Sequence, residues 1–283
     1  MIRILTDSAS DILPAEAAQL GVDVIPLNVT LEDGTVIRDG VDLTPSEYYE
    51  HMAGCKKLPT TSQPSPELFE KFYAEAAAAG DEVVGIFLSH ELSGTYQCAK
   101  LAADLANVDN VLFVDSTNVC LGEGLLVRLA VHLRDEGKSA VQIAATLEHA
   151  KEHLHLVAAI DDLKYLRRGG RISAAAQVAG SLLKIKPILQ SDEEGHIIQH
   201  SKVRGQLKAM ETLAELYKEY AVDGTRTVGI AHADCPDGAL RLQAKLRDAG
   251  QTGEILSVCY EPVTGGHVGP GTVALFFFGE VWR

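Results

Sequence analysis

The sequence predicts an α/β protein with an N-terminal parallel-sheet domain and a C-terminal α/β domain that contains a mixed sheet. In the first half of the chain, apolar strand-like segments alternate with helical patterns, which is typical of a parallel sheet covered by helices. In the second half, the turn Glu193-Glu194-Gly195 joins two strand-like segments, as in an antiparallel hairpin. The 283 residues are enough for two hydrophobic cores. We therefore predict domains at residues 1–157 and 158–283.

Each element of the first domain has its own local signal. Short apolar runs predict strands at residues 2–5, 22–30, 36–38, 83–88 and 111–114. Thr44-Pro45-Ser46-Glu47 combines an N-cap, a first-turn proline and a capping-box glutamate. Similar starts predict a helix from residue 14 and further helices at residues 66–80, 94–106, 122–136 and 140–153.

The second domain is predicted to have a different order of strands and helices. Strands are predicted at residues 156–160, 185–189, 196–201, 227–231, 254–260 and 272–278. Helices are predicted before Gly169-Gly170, around the alanine-rich residues 174–180, and at 206–220 and 238–249. The final stretch, VTGGHVGPGTVALFFFGEVWR, predicts a glycine-rich loop around His267 followed by a buried strand.

Composition excludes several classes of protein. The hydrophobic content of 46% and charged content of 23% are those of a soluble globular protein. A net charge of −14 disfavours nucleic acid or an anionic membrane as a general partner. The five cysteines are scattered, with no C-x-x-C pattern, which argues against a disulfide framework or a zinc site and favours a cytoplasmic location. Residues 161–210 carry nine basic and five acidic residues, so this segment is either a solvated surface or a docking surface for an acidic partner or a phosphate.

Familiar catalytic patterns are missing from the sequence. It contains no P-loop, no G-x-S-x-G elbow and no complete H-E-x-x-H motif. Asp7 and Asp115 each follow a predicted strand, where an aspartate either binds a metal or caps a turn. Four hydroxyl-rich segments also follow strands or precede helices, and such positions suit either anion binding or helix capping. These segments are TDSASD, PTTSQPSP, SHELSGT and DSTN.

Seven segments, in order along nearly the whole chain, resemble one known family. They are TDSASDI, TTSQPS, LSGTYQ, DSTNVCLGEG, LKYLRRGGRIS, LKIKPIL and GGHVGPGTVALFF. The sequence thereby resembles the DegV family, the fatty-acid-binding subunits of bacterial fatty acid kinases. Four sites depart from the commonest pattern of that family: His90-Glu91, Cys120, Val268 and Gln206.

The resemblance implies a specific site and a specific role. One long-chain fatty acid would be enclosed between the two domains, with no cofactor besides this lipid. Its carboxylate would be bound by Thr61, with Thr60 or Ser62 adjacent, by Ser93 with Gly94, by His267 and by Arg171. A dihydroxyacetone-kinase-like subunit would phosphorylate that carboxylate with ATP, for incorporation of exogenous fatty acid into phospholipid. The chain itself would be a carrier without catalytic activity, and transient membrane contact would fit this role.

Two further expectations complete the sequence-based account. The basic residues that we expect to dock the kinase subunit are Lys202, Arg204, Lys208, Arg167 and Arg168.

Two alternative functions stay open on the sequence alone. One is a metal-dependent phosphotransferase or hydrolase that uses Asp7 or Asp115, and the other is a lipid-responsive regulatory module without a kinase.

Overall fold

The fold is that of a computed structural model that describes residues 1–172 and 185–280. Its strands are β1 (Ile2–Asp7), β2 (Val22–Ile25), β3 (Asn28–Thr30), β4 (Val36–Arg38), β5 (Thr60–Ser62), β6 (Glu82–Phe87), β7 (Val111–Asp115), β8 (Leu154–Ala159), β9 (Ile185–Ser191), β10 (Ile197–Arg204), β11 (Val228–His232), β12 (Ile255–Cys259) and β13 (Val273–Phe278). Its helices are α1 (Pro14–Leu20), α2 (Pro45–Gly54), α3 (Pro66–Ala79), α4 (Thr95–Ala106), α5 (Leu121–Asp135), α6 (Ala140–Ala150), α7 (Lys164–Gly169), α8 (Gln206–Tyr220), α9 (Pro236–Asp248) and α10 (Pro262–Val268). The predicted helix around residues 174–180 lies outside the described residues.

The chain divides into two compact units. Unit 1 consists of Met1–Leu43 and Pro59–Lys151, and unit 2 consists of Thr44–Leu58 and Glu152–Arg283. The segment that contains α2 therefore groups with the second half of the chain, although it lies early in the sequence. The domain division at residue 157 stays a prediction.

Unit 1 contains the parallel sheet that the sequence predicts. Strand order is β2-β1-β6-β7, and all three pairings are parallel. Helices α3 and α4 bury one face in a cluster that includes Leu5, Phe69 and Phe87. Alternate residues such as Ile4 and Val84 are also fully buried, and α5 and α6 contact the same strands. Because the sheet is covered on both faces, the loops at the carboxyl ends of its strands are the natural place for a ligand.

The prediction of one continuous strand over residues 22–30 is wrong. The chain forms β2 and β3 instead, and these strands belong to two different sheets. Pro26 lies between them and has no backbone N–H for a strand ladder. The second of these sheets is a small antiparallel one with the order β4-β3-β5.

Unit 2 contains a six-stranded mixed sheet with the order β10-β9-β8-β13-β11-β12. Only β11 and β12 pair in parallel, so the predicted mixed sheet is confirmed. Helices α8 and α9 cover the face that carries Val157, Leu275 and Phe277. No helix within the described residues is long and apolar enough to cross a membrane. The cytoplasmic location stays a prediction.

The glycine-rich segment before the last strand was predicted as a loop, and this is wrong. Pro262–Val268 forms α10 and includes both Gly265 and Gly266. A Cβ at Gly265 would overlap the side chain of Tyr49, and one at Gly266 would lie 2.5 Å from the Tyr48 hydroxyl. Close packing of α10 on α2 therefore explains glycines that would otherwise disfavour a helix. The predicted buried strand after it is confirmed as β13.

Candidate functional site

The first group of candidate residues lies on β5 in unit 1. Thr61 pairs with Val29 of β3, so Thr60, Thr61 and Ser62 form a short strand rather than the expected loop. Thr60 and Ser62 are exposed and Thr61 is half-buried. The strand ends immediately before the segment that leads into α3. Its hydroxyls are therefore held by a sheet and remain accessible.

Ser93 and Gly94 lie beside that strand, at the start of α4. The Ser93 hydroxyl accepts a hydrogen bond from the Thr95 N–H at 3.2 Å and lies 2.9 Å from the Thr95 hydroxyl. Gly94 is the N-terminal cap of α4, and a Cβ there would overlap the amide of Gln63. The segments TTSQ and LSGT therefore meet within unit 1. This contact brings the segment that contains Thr61 close to Ser93 and to the start of α4.

The aspartates considered for metal chemistry have structural partners. Asp7 is fully buried and accepts N–H groups from Ala9 and Leu88, and burial raises its pKa to about 7. Burial, together with the nearby Asp7, also holds the pKa of Glu123 well above its usual range. Asp115 accepts the Thr117 N–H at 3.0 Å. Among the described residues, no group of three histidine, cysteine, aspartate or glutamate side chains is arranged to hold a metal ion.

His267 and Arg171 lie together in unit 2. His267 is in the last turn of α10, and a Cβ at Gly169 of α7 would overlap its Nδ1. Arg171 follows α7 and donates from Nη1 to the carbonyl oxygen of Gly169 at 2.5 Å. Burial, and secondarily the charge of Arg171, lower the pKa of His267 to about 4. His267 is therefore a neutral imidazole at pH 7 and stands beside a permanent cation.

Tyr48 and Tyr49 pack against α10, the helix that carries His267, and the sequence analysis missed this contact. Both rings are buried on α2 and pack against the glycines of α10 that precede His267. The Tyr49 hydroxyl also donates to the carbonyl oxygen of Tyr260 at 3.3 Å. The capping box before these residues predicts the helix, but no pattern in the sequence indicates what the helix packs against.

The basic residues expected to dock a partner are all exposed. Lys202 and Arg204 project from β10, an edge strand, and neither forms an ion pair with any residue in the described ranges. Lys208 on α8 forms ion pairs with Glu211 at 3.7 Å and Glu215 at 3.0 Å. Arg167 and Arg168 lie in the last turn of α7. Lys202 and Arg204 are therefore available to an acidic partner.

Comparison with known proteins identifies the family to which the chain belongs. The model of the DegV family, described as an uncharacterised protein family, matches residues 1–280. A DegV domain-containing protein of Halalkalibacterium halodurans is 36% identical over 281 residues, which is 99% of each chain. One from Deinococcus radiodurans is 37% identical over an alignment of 283 positions, gaps included, that covers 97% of each chain.

Solved structures with the same fold carry descriptions of lipid binding. A DegV family protein from Thermus thermophilus, described by its fatty acid binding, is 33% identical with a TM-score of 0.90, covering 98% of this chain and 99% of that one. DegV from Bacillus subtilis, described as a fatty acid binding protein, is 32% identical with a TM-score of 0.87 and the same coverage. A fatty acid binding DegV family protein from Streptococcus agalactiae is 30% identical with a TM-score of 0.90, covering 99% of each chain. The chain therefore belongs to the DegV family.

Proposed function

We propose that this protein binds one long-chain fatty acid through its carboxylate and its alkyl chain. The observation that carries the proposal is that the family motifs form two compact groups of hydrogen-bond donors, at Thr61 and Ser93 in unit 1 and at His267 and Arg171 in unit 2. A buried carboxylate requires such donors because an unpaired charge in apolar surroundings is strongly unfavourable. Fatty acid binding by similar DegV proteins supports the same conclusion.

The two groups suit a carboxylate in different ways. Thr61 and Ser93 offer hydroxyl hydrogens, with Thr60, Ser62 and the Gly94 backbone adjacent, at the start of the twelve-residue helix α4. The N-terminus of a helix stabilises negative charge. Neutral His267 donates one hydrogen bond without adding charge, while Arg171 supplies the positive charge.

A row of small side chains in unit 2 could accommodate the alkyl chain. Ala231, Ala274 and Ala158 lie side by side on β11, β13 and β8, on the sheet face opposite the one that contacts α8 and α9. All three are buried. Burial of about sixteen carbons at ~0.8 kcal/mol per CH₂ offers on the order of 12 kcal/mol before ordering costs. We expect Ala158→Leu to shift the preference towards shorter chains.

The direct test is native mass spectrometry of the purified protein, followed by organic extraction. We expect one added mass per chain that extraction identifies as a C14–C18 fatty acid, and reloading of the delipidated protein by the same acid. A Thr61→Ala, His267→Ala double variant should retain its fold and lose the ligand. Protein that stays ligand-free after incubation with fatty acids would contradict the proposal.

We further propose that the protein is a non-catalytic carrier that presents the carboxylate to an ATP-dependent kinase subunit of the dihydroxyacetone-kinase type. The unpaired cations Lys202 and Arg204 support a docking face, to which Lys208, Arg167 and Arg168 would add. Arg204→Glu should reduce acyl phosphate formation by such a partner without reducing fatty acid binding. Lys218→Glu on the exposed part of α8 is the matched control. Fatty acid binding without acyl phosphate formation by any such kinase would instead indicate a lipid-responsive regulatory module.

A further inference from the structure

A histidine in unit 1 lies between two carboxylates, in the turn that leads from Ser89 to Ser93. The Nδ1 of His90 is 2.5 Å from Oδ2 of Asp115, and its Nε2 is 3.0 Å from Oε1 of Glu91. Asp115 is the last residue of β7, whereas His90 follows β6. The imidazole therefore ties two neighbouring strand ends together.

Both ring nitrogens of His90 face a carboxylate oxygen, so the ring links Asp115 to Glu91. Hydrogen bonds to a carboxylate oxygen are among the stronger ones in proteins. The Lys151 ammonium also lies at this edge, but it binds the main-chain oxygen of Asp115 at 3.0 Å and the Glu148 carboxylate. His90 therefore bonds to the side chain of Asp115, whereas Lys151 bonds to its main chain.

The position of Ser93 depends on the same turn. The main-chain oxygen of Ser89 accepts the N–H groups of Leu92 at 3.0 Å and Ser93 at 3.1 Å. Ser89 itself is fully buried, and its N–H donates to Asn118 on the chain that follows β7. The start of the turn is therefore anchored by the backbone, while His90 anchors its exposed side to Asp115.

We propose that His90 is a positioning residue for head-group binding, because its bonds to Asp115 and Glu91 hold the turn that presents the Ser93 hydroxyl. The inference rests on the proposed function, since it concerns the same carboxylate. His90 itself need not touch the ligand. Its effect on the affinity for the fatty acid depends on the Ser93 hydroxyl and should therefore disappear when that hydroxyl is absent.

The experiment compares a fatty acid with its alcohol, which has the same chain and no carboxylate. Affinities of tetradecanoic acid and tetradecan-1-ol are measured by displacement of a fluorescent long-chain probe from the full-length protein. We expect His90→Gln to weaken the acid about tenfold, as for loss of one well-placed hydrogen bond to a charged group, and to leave the alcohol within about twofold. His90→Arg, which offers donors to both carboxylates, should restore most of the affinity for the acid.

Two further variants separate positioning from a general structural effect. In a Ser93→Ala background, His90→Gln should change the acid affinity by less than about twofold, because coupled residues are not additive. His132→Gln is the matched control, since His132 forms an exposed pair with Glu136 at 3.2 Å on α5.

Equal losses for acid and alcohol, or full additivity of His90→Gln with Ser93→Ala, would overturn the inference while leaving the proposed function intact. Failure of the wild-type protein to bind the acid at all would overturn the proposed function itself, and this inference with it.

Discussion

The acidic and basic side chains that are buried most completely differ between the two units. Unit 1 buries the carboxyl groups of Asp7 and Glu123 at the carboxyl end of its parallel sheet and in α5. Unit 2 buries the imidazole of His155, stacked on Phe277 with ring centroids 4.9 Å apart, and half-buries His267. Desolvation raises the pKa of both acids and lowers the pKa of both histidines to about 4. In each unit, burial therefore favours the neutral form.

The difference between the units lies in how their stability depends on pH. Between 3.8 and about 7, folded Asp7 keeps a proton that the unfolded chain has lost, so its contribution to stability falls as pH rises. Between 6.5 and about 4, folded His155 and His267 stay neutral while the unfolded chain gains protons, so their contributions fall as pH falls. These opposite slopes offset one another in weakly acidic solution. A free energy of unfolding that changes little with pH can therefore conceal two large contributions of opposite slope.

The largest expected effect comes from displacing the imidazole of unit 2. Gly169→Val places a Cβ where the Nδ1 of His267 lies, so the ring must move. We expect fatty acid affinity, measured by calorimetry, to fall about 10- to 100-fold, as for loss of a hydrogen bond to a charged group.

Two variants control that experiment. Gly54→Ala at the end of α2 has open space around the new Cβ, and its affinity should stay within about twofold of wild type. His267→Phe should reproduce the loss without the overlap at residue 169. If both Gly169→Val and His267→Phe fold and bind normally, His267 has no part in binding.

Removing one buried acid tests the unit 1 side of the comparison. Glu123→Gln keeps an acceptor for the Thr6 hydroxyl, which donates to Oε1 at 2.8 Å, and removes the carboxylate. Because ionising a buried carboxyl is unfavourable, we expect the free energy of unfolding at pH 8 to increase by roughly 2–3 kcal/mol. Urea denaturation at pH 4 should show little difference from wild type. A gain of equal size at both pH values would contradict the charge argument.

Removing one buried histidine should have a smaller and opposite effect. His155→Gln retains a donor for the carbonyl oxygen of Glu280, which lies 2.6 Å from Nε2. We expect the loss of unfolding free energy between pH 7 and pH 4.5 to shrink by roughly 1–2 kcal/mol, because glutamine does not titrate. If urea denaturation shows the same loss of unfolding free energy between pH 7 and pH 4.5 in the variant as in wild type, His155 is protonated in the folded state.

The smallest expected effect concerns the hydroxyls of unit 1. Thr61→Val keeps the shape of a half-buried strand residue and removes one neutral donor. We expect fatty acid affinity to fall about three- to fivefold, since neutral hydrogen bonds contribute less than charged ones. Thr61→Ser should bind like wild type, and equal weakening by both variants would point to strand packing instead.

Much of the fold was predictable because its elements follow local rules. The capping box at Thr44 and Glu47 forms as expected, and so does the left-handed helix end at Gly170. The errors arose where distant residues decide the outcome. Only the packing of α10 on Tyr48 and Tyr49 makes a helix of a glycine-rich segment.

The sequence predicts the residues of the candidate site but not the contacts that they make. The motifs indicated Ser93 and His267, yet no periodicity reveals that Gln63 lies against Gly94 or that Gly169 lies against His267. His90 and Glu91 stood out as departures from the family pattern. Their partner Asp115 is 25 residues away from His90, and the sequence cannot show which strand ends lie side by side.

The proposed function requires that protein donors hydrogen-bond the carboxylate of a bound fatty acid. It is tested by the ¹³C resonance of a carboxyl-labelled C16 fatty acid bound to wild type, Ser93→Ala and His267→Ala. We expect a bound carboxyl resonance that differs from that of the free acid and that moves when a donor to the carboxylate is removed. A bound carboxyl resonance that is unchanged by both substitutions would contradict the account.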